Sequence, residues 1–291
     1  MLHALLVLLA GCAPDCPEAA GAMIVRQLGL RGPVPGESSL VVLPGGATLL
    51  IDAGNDSHDG WIRERLDGPV DWLLITHGDE DHAGGLDDLA DLLAGAVRID
   101  ALGTWALGDA ELEVFLHDGV LRAGSEDLDL REELGDLDGN ALSTAAVLRY
   151  GAFGYLFAGD LTGGGKDTPD LESEVAARVP AVGDVDLLHL SHHGIQSSSN
   201  QAWVDWLLPD DGRARNAVVG ANSGYLAAPA QGVLDRVAPR LGEGRIWASR
   251  TGSLAGEHER LRVADGDVVV AVDEGGAAYT VCGERFASTE D

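Results

Sequence analysis

The feature that most constrains this chain is an apolar run that ends in a loop crowded with potential metal ligands. Residues 70–75 have the composition of a buried strand, and residues 77–82 after it carry two histidines and three carboxylates. Gly84 and Gly85 follow, and residues 86–93 have the spacing of an amphipathic helix. The sequence therefore predicts a ligand-rich loop at the carboxyl end of a strand, where α/β proteins commonly place their sites.

Four side chains of this loop are predicted metal ligands, namely His77, Asp79, Asp81 and His82. Neutral imidazole and carboxylate are donors that divalent metals take, and this short spacing allows one loop to provide several of them. A solvated acidic turn is the alternative interpretation, because acidic turns are frequent in a chain of this composition. The density of ligands favours the metal site.

Composition bounds the size of the fold and the class of partner. The chain has 291 residues, of which 45% are hydrophobic, and this suits one large domain or two small ones. Its formal net charge is −29, from 48 acidic and 19 basic residues, and Lys166 is the only lysine. No basic patch is visible in the sequence, which weighs against binding to nucleic acid through lysine and arginine contacts.

The N-terminus has the pattern of a targeting element. Residues 2–10 are apolar but too few to span a bilayer as a helix, and Leu9-Ala10-Gly11-Cys12 places small residues before a cysteine. This segment resembles the lipobox of a bacterial lipoprotein. The resemblance implies lipidation of Cys12 and a cell-envelope or secreted location, with membrane contact only through the lipid anchor. The usual positively charged start is missing, and an ordinary buried N-terminal segment is the alternative.

We divide the chain into a signal and linker (residues 1–21), one domain (residues 22–285) and a tail (residues 286–291). Two further cysteines, Cys16 and Cys282, lie near the two ends of the domain. They either pair in an oxidising envelope or stay free thiols in a reducing compartment.

Strand and helix patterns alternate along the domain. Helices are predicted at residues 58–66, 171–178, 201–208 and 231–241, and the acidic stretch 118–140 is predicted to be a long surface loop. Besides the run at 70–75, strands are predicted at residues 23–28, 39–43, 48–52, 97–101, 111–117, 143–150, 154–158, 186–190, 216–220 and 245–248. This pattern favours two mixed sheets with helices on their outer faces.

Three more clusters fall at predicted strand ends. Asp160 follows the strand at 154–158, His192 and His193 follow the strand at 186–190, and Asp52 ends the strand at 48–52. Taken singly, each has a structural alternative as a turn or packing residue. Together with the first loop they indicate one site assembled from several loops, in which Asp52 orients a ligand rather than binding metal.

Five segments of the chain resemble the metallo-β-lactamase fold superfamily and, within it, the ComEC-type hydrolase domain of bacterial DNA-uptake channels. The resemblance implies an α/β (α+β) fold, a four-layer αββα metallo-β-lactamase sandwich, with a two-metal site in the groove between its sheets. The segments are Leu43-Pro44-Gly45-Gly46-Ala47-Thr48-Leu49-Leu50-Ile51-Asp52-Ala53-Gly54, His77-x-Asp79-x-Asp81-His82, Asn140 with Ser143, Gly159-Asp160, and Ser191-His192-His193-Gly194.

The resemblance also implies a role for each side chain. His77 and Asp79 would bind one metal, Asp81 and His82 the other, with Asp160 as the bridge. Either His192 or His193 would complete the second site, while the other would hydrogen-bond substrate or leaving group. Predicted catalytic residues are Asp81, His192 and His193, and predicted supporting residues are Asp52, Asn140, Ser143 and Asn222.

The predicted cofactors are two divalent ions that activate water. Most zinc members of the superfamily have histidine at the position of Asp79. A carboxylate there shifts the preference toward Mn²⁺ or Mg²⁺, and Zn²⁺ stays open. The chain also departs from the family pattern in residues 30–38 and at Ala228, where the family usually has histidine, while Asn222 and Tyr225 are kept.

The predicted function is therefore a metal-dependent hydrolase acting on a phosphodiester in a phosphodiesterase- or nuclease-like manner. The charge of −29 disfavours a nucleic-acid substrate. A hydrolase of a small ester, phosphocholine-type or lactam substrate is the first alternative, because fold analogy does not choose among substrates. A non-catalytic binding lipoprotein with a vestigial site is the second alternative.

Overall fold

Two mixed β-sheets stack face to face in the computed structural model, which describes residues 16–135, 137, 139–180, 182–222, 224 and 226–288. Cys12 with the apolar run before it, and Tyr225, lie outside these residues. In chain order the strands are β1 (Met23–Gln27), β2 (Ser39–Val42), β3 (Thr48–Ile51), β4 (Trp72–Leu74), β5 (Val97–Arg98), β6 (Gly103–Leu107), β7 (Ala110–His117), β8 (Val120–Ala123), β9 (Glu126–Asp129), β10 (Ala145–Tyr150), β11 (Phe153–Phe157), β12 (Leu187–His189), β13 (Asn216–Val219), β14 (Ile246–Ala248), β15 (Leu261–Val263), β16 (Val268–Val272), β17 (Ala278–Val281) and β18 (Glu284–Ala287).

The helices are short, and they cover the outer faces of the sheets. They are α1 (Asp59–Arg63), α2 (Glu80–Ala83), α3 (Ala90–Leu93), α4 (Leu130–Leu134), α5 (Leu171–Arg178), α6 (Gln201–Leu207) and α7 (Gln231–Val237). Single turns of 3₁₀ helix occur at Asp56–His58, Gly84–Leu86, Asn140–Leu142, Gly165–Asp167, His192–Gly194, Ala238–Arg240 and Glu274–Gly276. Within the described residues, no helix is both long and apolar enough to cross a membrane.

Three apolar clusters hold the layers together. The central cluster lies between the sheets, where Leu49 and Val270 of one sheet face Phe157 and Val218 of the other. A second cluster packs α5, α6 and α7 onto the second sheet, and a third packs α1 and Leu89 onto the first. Each fully buried aliphatic side chain contributes about 1.5–3 kcal/mol. The predicted four-layer αββα sandwich is confirmed.

Strand order brings the ends of several loops to one edge of the sandwich. The first sheet runs β18-β17-β16-β1-β2-β3-β4-β5, and β3, β4 and β5 are parallel. The second runs β15-β14-β13-β12-β11-β10-β7-β8-β9, and its five strands from β11 to β15 are parallel. Because parallel strands end at the same edge, the loops after β3, β4, β11 and β12 converge there.

The structure corrects the prediction of a long surface loop at residues 118–140. This stretch instead forms β8, β9 and α4, and Leu121 of β8 pairs with Leu128 of β9. Leu121 and Leu130 are fully buried in the second sheet's cluster. The acidic side chains of the stretch occupy its exposed positions. Its acidic composition therefore predicted a loop, although a few apolar residues pack it against the second sheet.

Other boundaries also differ from the predictions. The helix predicted at 86–93 is limited to α3, because a 3₁₀ turn occupies Gly84–Leu86 before it. Strands β15 to β18 were not predicted. The last of them pairs Phe286 with Tyr279 and Ala287 with Ala278, so the folded domain extends past the boundary predicted at residue 285.

Cys16 and Cys282, whose pairing the sequence leaves open, form a disulfide. The bond ties the segment before β1 to the turn between β17 and β18. Cys16 also contacts the neighbouring strand, since the backbone N–H of Val269 donates to its sulfur at 3.1 Å. The N-terminal segment is therefore attached to the edge of the first sheet from residue 16 onward.

Candidate metal centre

Asp52 joins the two first-sheet loops that reach the site. It follows β3 and accepts hydrogen bonds from Thr76, which follows β4, through the backbone N–H at 2.7 Å and the hydroxyl at 2.8 Å. The loop then passes His77 and enters α2, which carries Asp81 and His82. The backbone of Ala53 donates to the carbonyl of His82 at 2.7 Å and closes the unit.

The four candidate histidine ligands share one orientation, with Nδ1 held by a neighbouring group. Such a contact fixes the ring and its tautomer, as is usual for metal-binding histidines. The contacts are His77 Nδ1 to Thr76 Oγ1 at 3.1 Å, His82 Nδ1 to Asp52 Oδ2 at 2.8 Å, His192 Nδ1 to Ser197 Oγ at 3.0 Å, and His193 Nδ1 to the carbonyl of Gly220 at 2.8 Å.

Asp160 lies among the Nε2 atoms of these rings. Its Oδ1 is 3.2 Å from His82 Nε2, and its Oδ2 is 3.6 Å from His192 Nε2 and 3.5 Å from His193 Nε2. Asp81 Oδ2 is 3.4 Å from the Nε2 of His193. One carboxylate therefore contacts three imidazoles from two loops.

His77 and Asp79 occupy the outer side of the cluster. His77 Nε2 is 3.6 Å from Asp79 Oδ2, and the ring centroids of His77 and His82 are 4.2 Å apart. The His77 side chain is 1% exposed, whereas that of Asp79 is 48% exposed. The structure thus brings all seven predicted ligands together, and metal binding by each of them stays a prediction.

The unpaired atoms of the cluster fit a metal. His77 Nε2 is buried and has no hydrogen-bond partner among the described residues, and the 3.2 Å contact of His82 Nε2 with Asp160 Oδ1 lacks hydrogen-bond geometry. A buried polar atom without a partner costs about 1–3 kcal/mol. A divalent cation bound by imidazole nitrogen and carboxylate oxygen would satisfy these atoms together.

The charges of the cluster are strongly coupled. Burial opposes ionisation of Asp160, but the charges of His82 and His193 outweigh it and hold the pKa of Asp160 well below its usual range. Burial likewise opposes protonation of His193, yet Asp160 and Glu37 raise the pKa of His193 to about 10. In contrast, burial lowers the pKa of His192.

Glu37 is the residue that the sequence analysis missed. It is buried and belongs with His82, Asp160 and His193 to one group whose possible ligand atoms lie within 4.8 Å of one another. Its Oε2 is 3.1 Å from Nδ1 of His193, and its Oε1 contacts Nε2 of His189. Because it meets His193 at Nδ1 rather than Nε2, Glu37 is placed to orient this ring.

The sequence offers one signal for Glu37, which is its position in the chain. The residue follows Gly36 in the stretch 30–38, where the chain departs from the family pattern. The structure shows that the backbone N–H of Glu37 donates to the carbonyl of Asp81 at 2.9 Å and that Gly54 donates to the carbonyl of Glu37 at 3.0 Å. The stretch is therefore attached to the predicted metal loop despite its unusual sequence.

The predicted supporting residues occupy different places. Asp52 contacts His82, and Ser143 Oγ accepts from the backbone N–H of Asp160 at 3.0 Å. Asn140 acts through its backbone, whose carbonyl accepts from Ser143 N–H at 3.1 Å. Asn222 instead donates to the carbonyl of Val34 at 2.7 Å and braces a loop outside the cluster.

Close backbone contact at Gly159 allows the two sheets to share the site. This glycine has a φ of 48°, and a Cβ there would lie 2.6 Å from the side chain of Thr76. Its carbonyl accepts from the backbone N–H of His192 at 3.0 Å. Asp160 is thereby held between the loop of the first sheet and the histidine pair of the second.

Comparison with solved structures gives weak overall similarity. YhfI of Bacillus subtilis, a metallo-beta-lactamase fold protein, is 13% identical, with 79% of this chain and 97% of that chain covered and a TM-score of 0.45. A diphosphatase from the PhnP family is 15% identical, with 85% and 97% covered and a TM-score of 0.41. CmlA, a diiron β-hydroxylase from Streptomyces venezuelae, is 19% identical, with 75% and 47% covered and a TM-score of 0.38. The chain thus spans about half the length of CmlA.

Sequence comparison assigns the family. No curated protein shows significant sequence similarity to this chain. The family model of the metallo-beta-lactamase superfamily, however, matches residues 31–214, a range that includes every candidate ligand and Glu37. Because the match covers more than half of the chain, the protein belongs to the metallo-beta-lactamase superfamily, a superfamily of metal-dependent hydrolases.

Proposed function

We propose that this protein is a metal-dependent phosphodiesterase of the ComEC-type subgroup. The observation that carries the proposal is the position of Asp160, whose carboxylate lies within 3.2–3.6 Å of Nε2 atoms of His82, His192 and His193. A carboxylate in this position can bridge two cations. The His77-x-Asp79-x-Asp81-His82 loop and the adjacent His192 and His193 support the subgroup.

The donor set favours phosphate esters over lactams. Three of its members, Asp79, Asp81 and Asp160, are carboxylates, which suit hard ions that also bind phosphate oxygens. Two divalent ions supply an activated water and stabilise charge on the attacking and leaving oxygens of a displacement. Mn²⁺ is the proposed ion, and Zn²⁺ and Mg²⁺ are the alternatives.

The two adjacent histidines take different roles in this proposal. His193 is fully buried, and both Glu37 and the carbonyl of Gly220 hold its Nδ1, so we assign it as the metal ligand. His192 is 9% exposed, and its Nδ1 contacts the Ser197 hydroxyl at 3.0 Å. When Ser197 donates to Nδ1, the Nε2–H of neutral His192 is available to donate a hydrogen bond to the leaving oxygen of the substrate.

Chelation and metal readdition test the proposal. Purified protein is stripped with EDTA, reloaded with Mn²⁺ or Zn²⁺, and assayed with bis-p-nitrophenyl phosphate and nitrocefin. We expect hydrolysis of the phosphodiester to vanish on chelation and return with metal, and nitrocefin to stay intact. Activity that is indifferent to EDTA, or turnover of nitrocefin alone, would overturn the proposal.

A pair of variants tests the roles of the histidines. His192→Ala is expected to keep its bound metal and lose hydrolysis, whereas His193→Ala is expected to lose bound metal as well. Metal content per chain is measured by elemental analysis in parallel with the rate. Equal metal loss in both variants would contradict the assignment of His193 as the ligand and His192 as the hydrogen-bond donor to the leaving group.

A further inference from the structure

A pocket of about 320 Å³ opens beside the loop that follows His193. Its walls include Ile195 and Gln196 of that loop, Leu226 from the loop opposite, and Lys166. The volume falls in the range of small-molecule sites. The pocket shares a loop with the candidate centre, because Ile195 is two residues beyond His193.

Lys166 gives this pocket an available positive charge. It is the chain's only lysine, its side chain is exposed, and among the described residues it makes no ion pair. The neighbouring Asp167 forms no ion pair with it either, and Asp167 does not line the pocket. Many arginines of the chain, in contrast, pair with carboxylates, as Arg240 does with Asp205.

Backbone contacts fix the turn that carries Lys166 against the loop that follows His193. The N–H of Gly163 donates to the carbonyl of Ser197 at 2.7 Å. Gly165 packs so closely that a Cβ there would lie 2.5 Å from the carbonyl of Gln196. Ser197 in turn contacts His192 through its hydroxyl. The position of the lysine is therefore set by the same loop that positions His192.

We propose that this pocket binds a second anionic group of the substrate, a phosphate or carboxylate, with Lys166 as its counter-ion. The proposal rests on the proposed phosphodiesterase function and names the substrate class, which is a small phosphodiester with an acidic substituent. Gln196 supplies an amide beside the anion, while Ile195 and Leu226 contact the carbon chain that links it to the ester. The net charge of −29 repels a long polyanion but is compatible with one short acidic arm held by a local lysine.

Kinetics with two matched p-nitrophenyl phosphodiesters test the proposal. One ester carries a short alkyl carboxylate, and the other carries the isosteric methyl ketone. Lys166→Met is expected to raise KM for the carboxylate ester about tenfold, because a charge-assisted hydrogen bond is lost. It leaves kcat for the carboxylate ester, and both kcat and KM for the neutral ester, unchanged. Lys166→Arg recovers most of the affinity for the carboxylate ester.

Arg240→Met is the matched control. It removes the same charge from a partly buried arginine that lies outside the pocket, and it is expected to change neither ester's KM. An equal rise in KM for both esters on Lys166→Met, or no rise for the carboxylate ester, would overturn the anion pocket while leaving the phosphodiesterase function intact.

Binding to metal-free protein separates this proposal from the function it rests on. A non-hydrolysable phosphonate analogue of the carboxylate ester is titrated into EDTA-treated protein by calorimetry. We expect affinity that weakens about tenfold in Lys166→Met and persists in Arg240→Met. If this difference is found while the metal-loaded protein hydrolyses neither ester, the anion pocket stands and the phosphodiesterase function fails.

Discussion

Strands β12 and β13 carry buried polar groups at both of their ends, but the groups are satisfied in different ways. At the amino ends, Asp186 accepts from the N–H of Gly154 at 2.9 Å and from Arg213 at 3.2 Å. Asn216 donates to Tyr279 Oη at 3.0 Å and accepts from Trp247 Nε1 at 3.0 Å. The hydrogen-bonding groups at this end are therefore satisfied by other protein groups.

At the carboxyl ends the arrangement is the opposite. The loop after β12 meets the loop after β4 there, and the imidazole rings of both loops are held at Nδ1. The Nε2 atoms of His77 and His82, in the loop after β4, have no hydrogen-bond partner among the described residues. Burial alone therefore does not mark a functional site. A paired buried network stabilises the fold, whereas a set of oriented but unsatisfied donor atoms indicates a candidate ligand site.

The largest expected effect comes from exchanging aspartate for asparagine at Asp160, after the carboxyl end of β11, and at Asp186, before the amino end of the adjacent β12. Asp160→Asn is expected to lower phosphodiester hydrolysis about a thousandfold, because a neutral amide cannot bridge two cations and several kcal/mol of charge stabilisation are lost. Asp186→Asn is expected to leave metal content and hydrolysis within about twofold of the parent, since no metal ligand contacts this carboxylate. Rates and metal content are measured together in both variants. If the two substitutions lowered activity equally, the distinction between the two ends would be wrong.

The second effect is a pH dependence of the unfolding free energy, of about 3 kcal/mol, that comes from Asp186 at the amino end of β12. Burial, with a smaller contribution from Asp184, raises the pKa of Asp186 from 3.8 to about 6, against the opposing influence of the Gly154 N–H, Arg213 and Arg215. The folded state therefore binds more protons than the unfolded state between these values. The contribution of Asp186 to stability is fully present below pH 4 and falls as the pH rises to 6.

Asp186→Asn isolates this contribution. The difference in unfolding free energy between the parent and the variant, both metal-free, is expected to shift against the parent by about 3 kcal/mol from pH 4 to pH 7. Urea denaturation across this range measures it, and carboxylates common to both proteins cancel. A difference that stays flat with pH would show that Arg213 compensates the buried charge fully.

Much of the candidate site could be predicted from the sequence, because the ends of buried strands can be predicted. His77 to His82, Asp160 and His192 with His193 each follow a short apolar run, and a run of that kind predicts a buried strand without any knowledge of its partners. Convergence of the loops follows from parallel strand order. The seven candidate ligands could therefore be found before the structure.

Glu37 and the 118–140 segment could not be found in this way. Glu37 sits behind His193 only because the backbone of its loop pairs with Asp81 and Gly54, which are distant in the sequence. Likewise β8 and β9 depend on Leu121 and Leu130 packing into a cluster built mostly by other elements. Non-local contacts decided both cases, and in the 118–140 segment they overrode the local acidic composition.

The smallest expected effect concerns the same two-ended comparison on strands β3 and β4. Asp52 follows β3 and holds Thr76 and His82, whereas Asp71 precedes β4 and accepts from the backbone N–H of Thr48 at 2.8 Å. Each aspartate joins the same pair of strands, one at the candidate centre and one at the far end. Asp52→Asn is expected to weaken Mn²⁺ binding about 10–100-fold, because the amide no longer fixes the His82 ring as a carboxylate does.

Asp71→Asn provides the matched control, since it makes the same chemical change at the end of the strand pair that lacks histidines. Its affinity for Mn²⁺, measured by calorimetry, is expected to equal that of the parent. If both variants lost affinity equally, Asp52 would act by joining β3 to β4 rather than by orienting His82. Loss in Asp52→Asn alone would show that a carboxylate at this position serves the metal centre beyond its structural contacts, which the amide largely preserves.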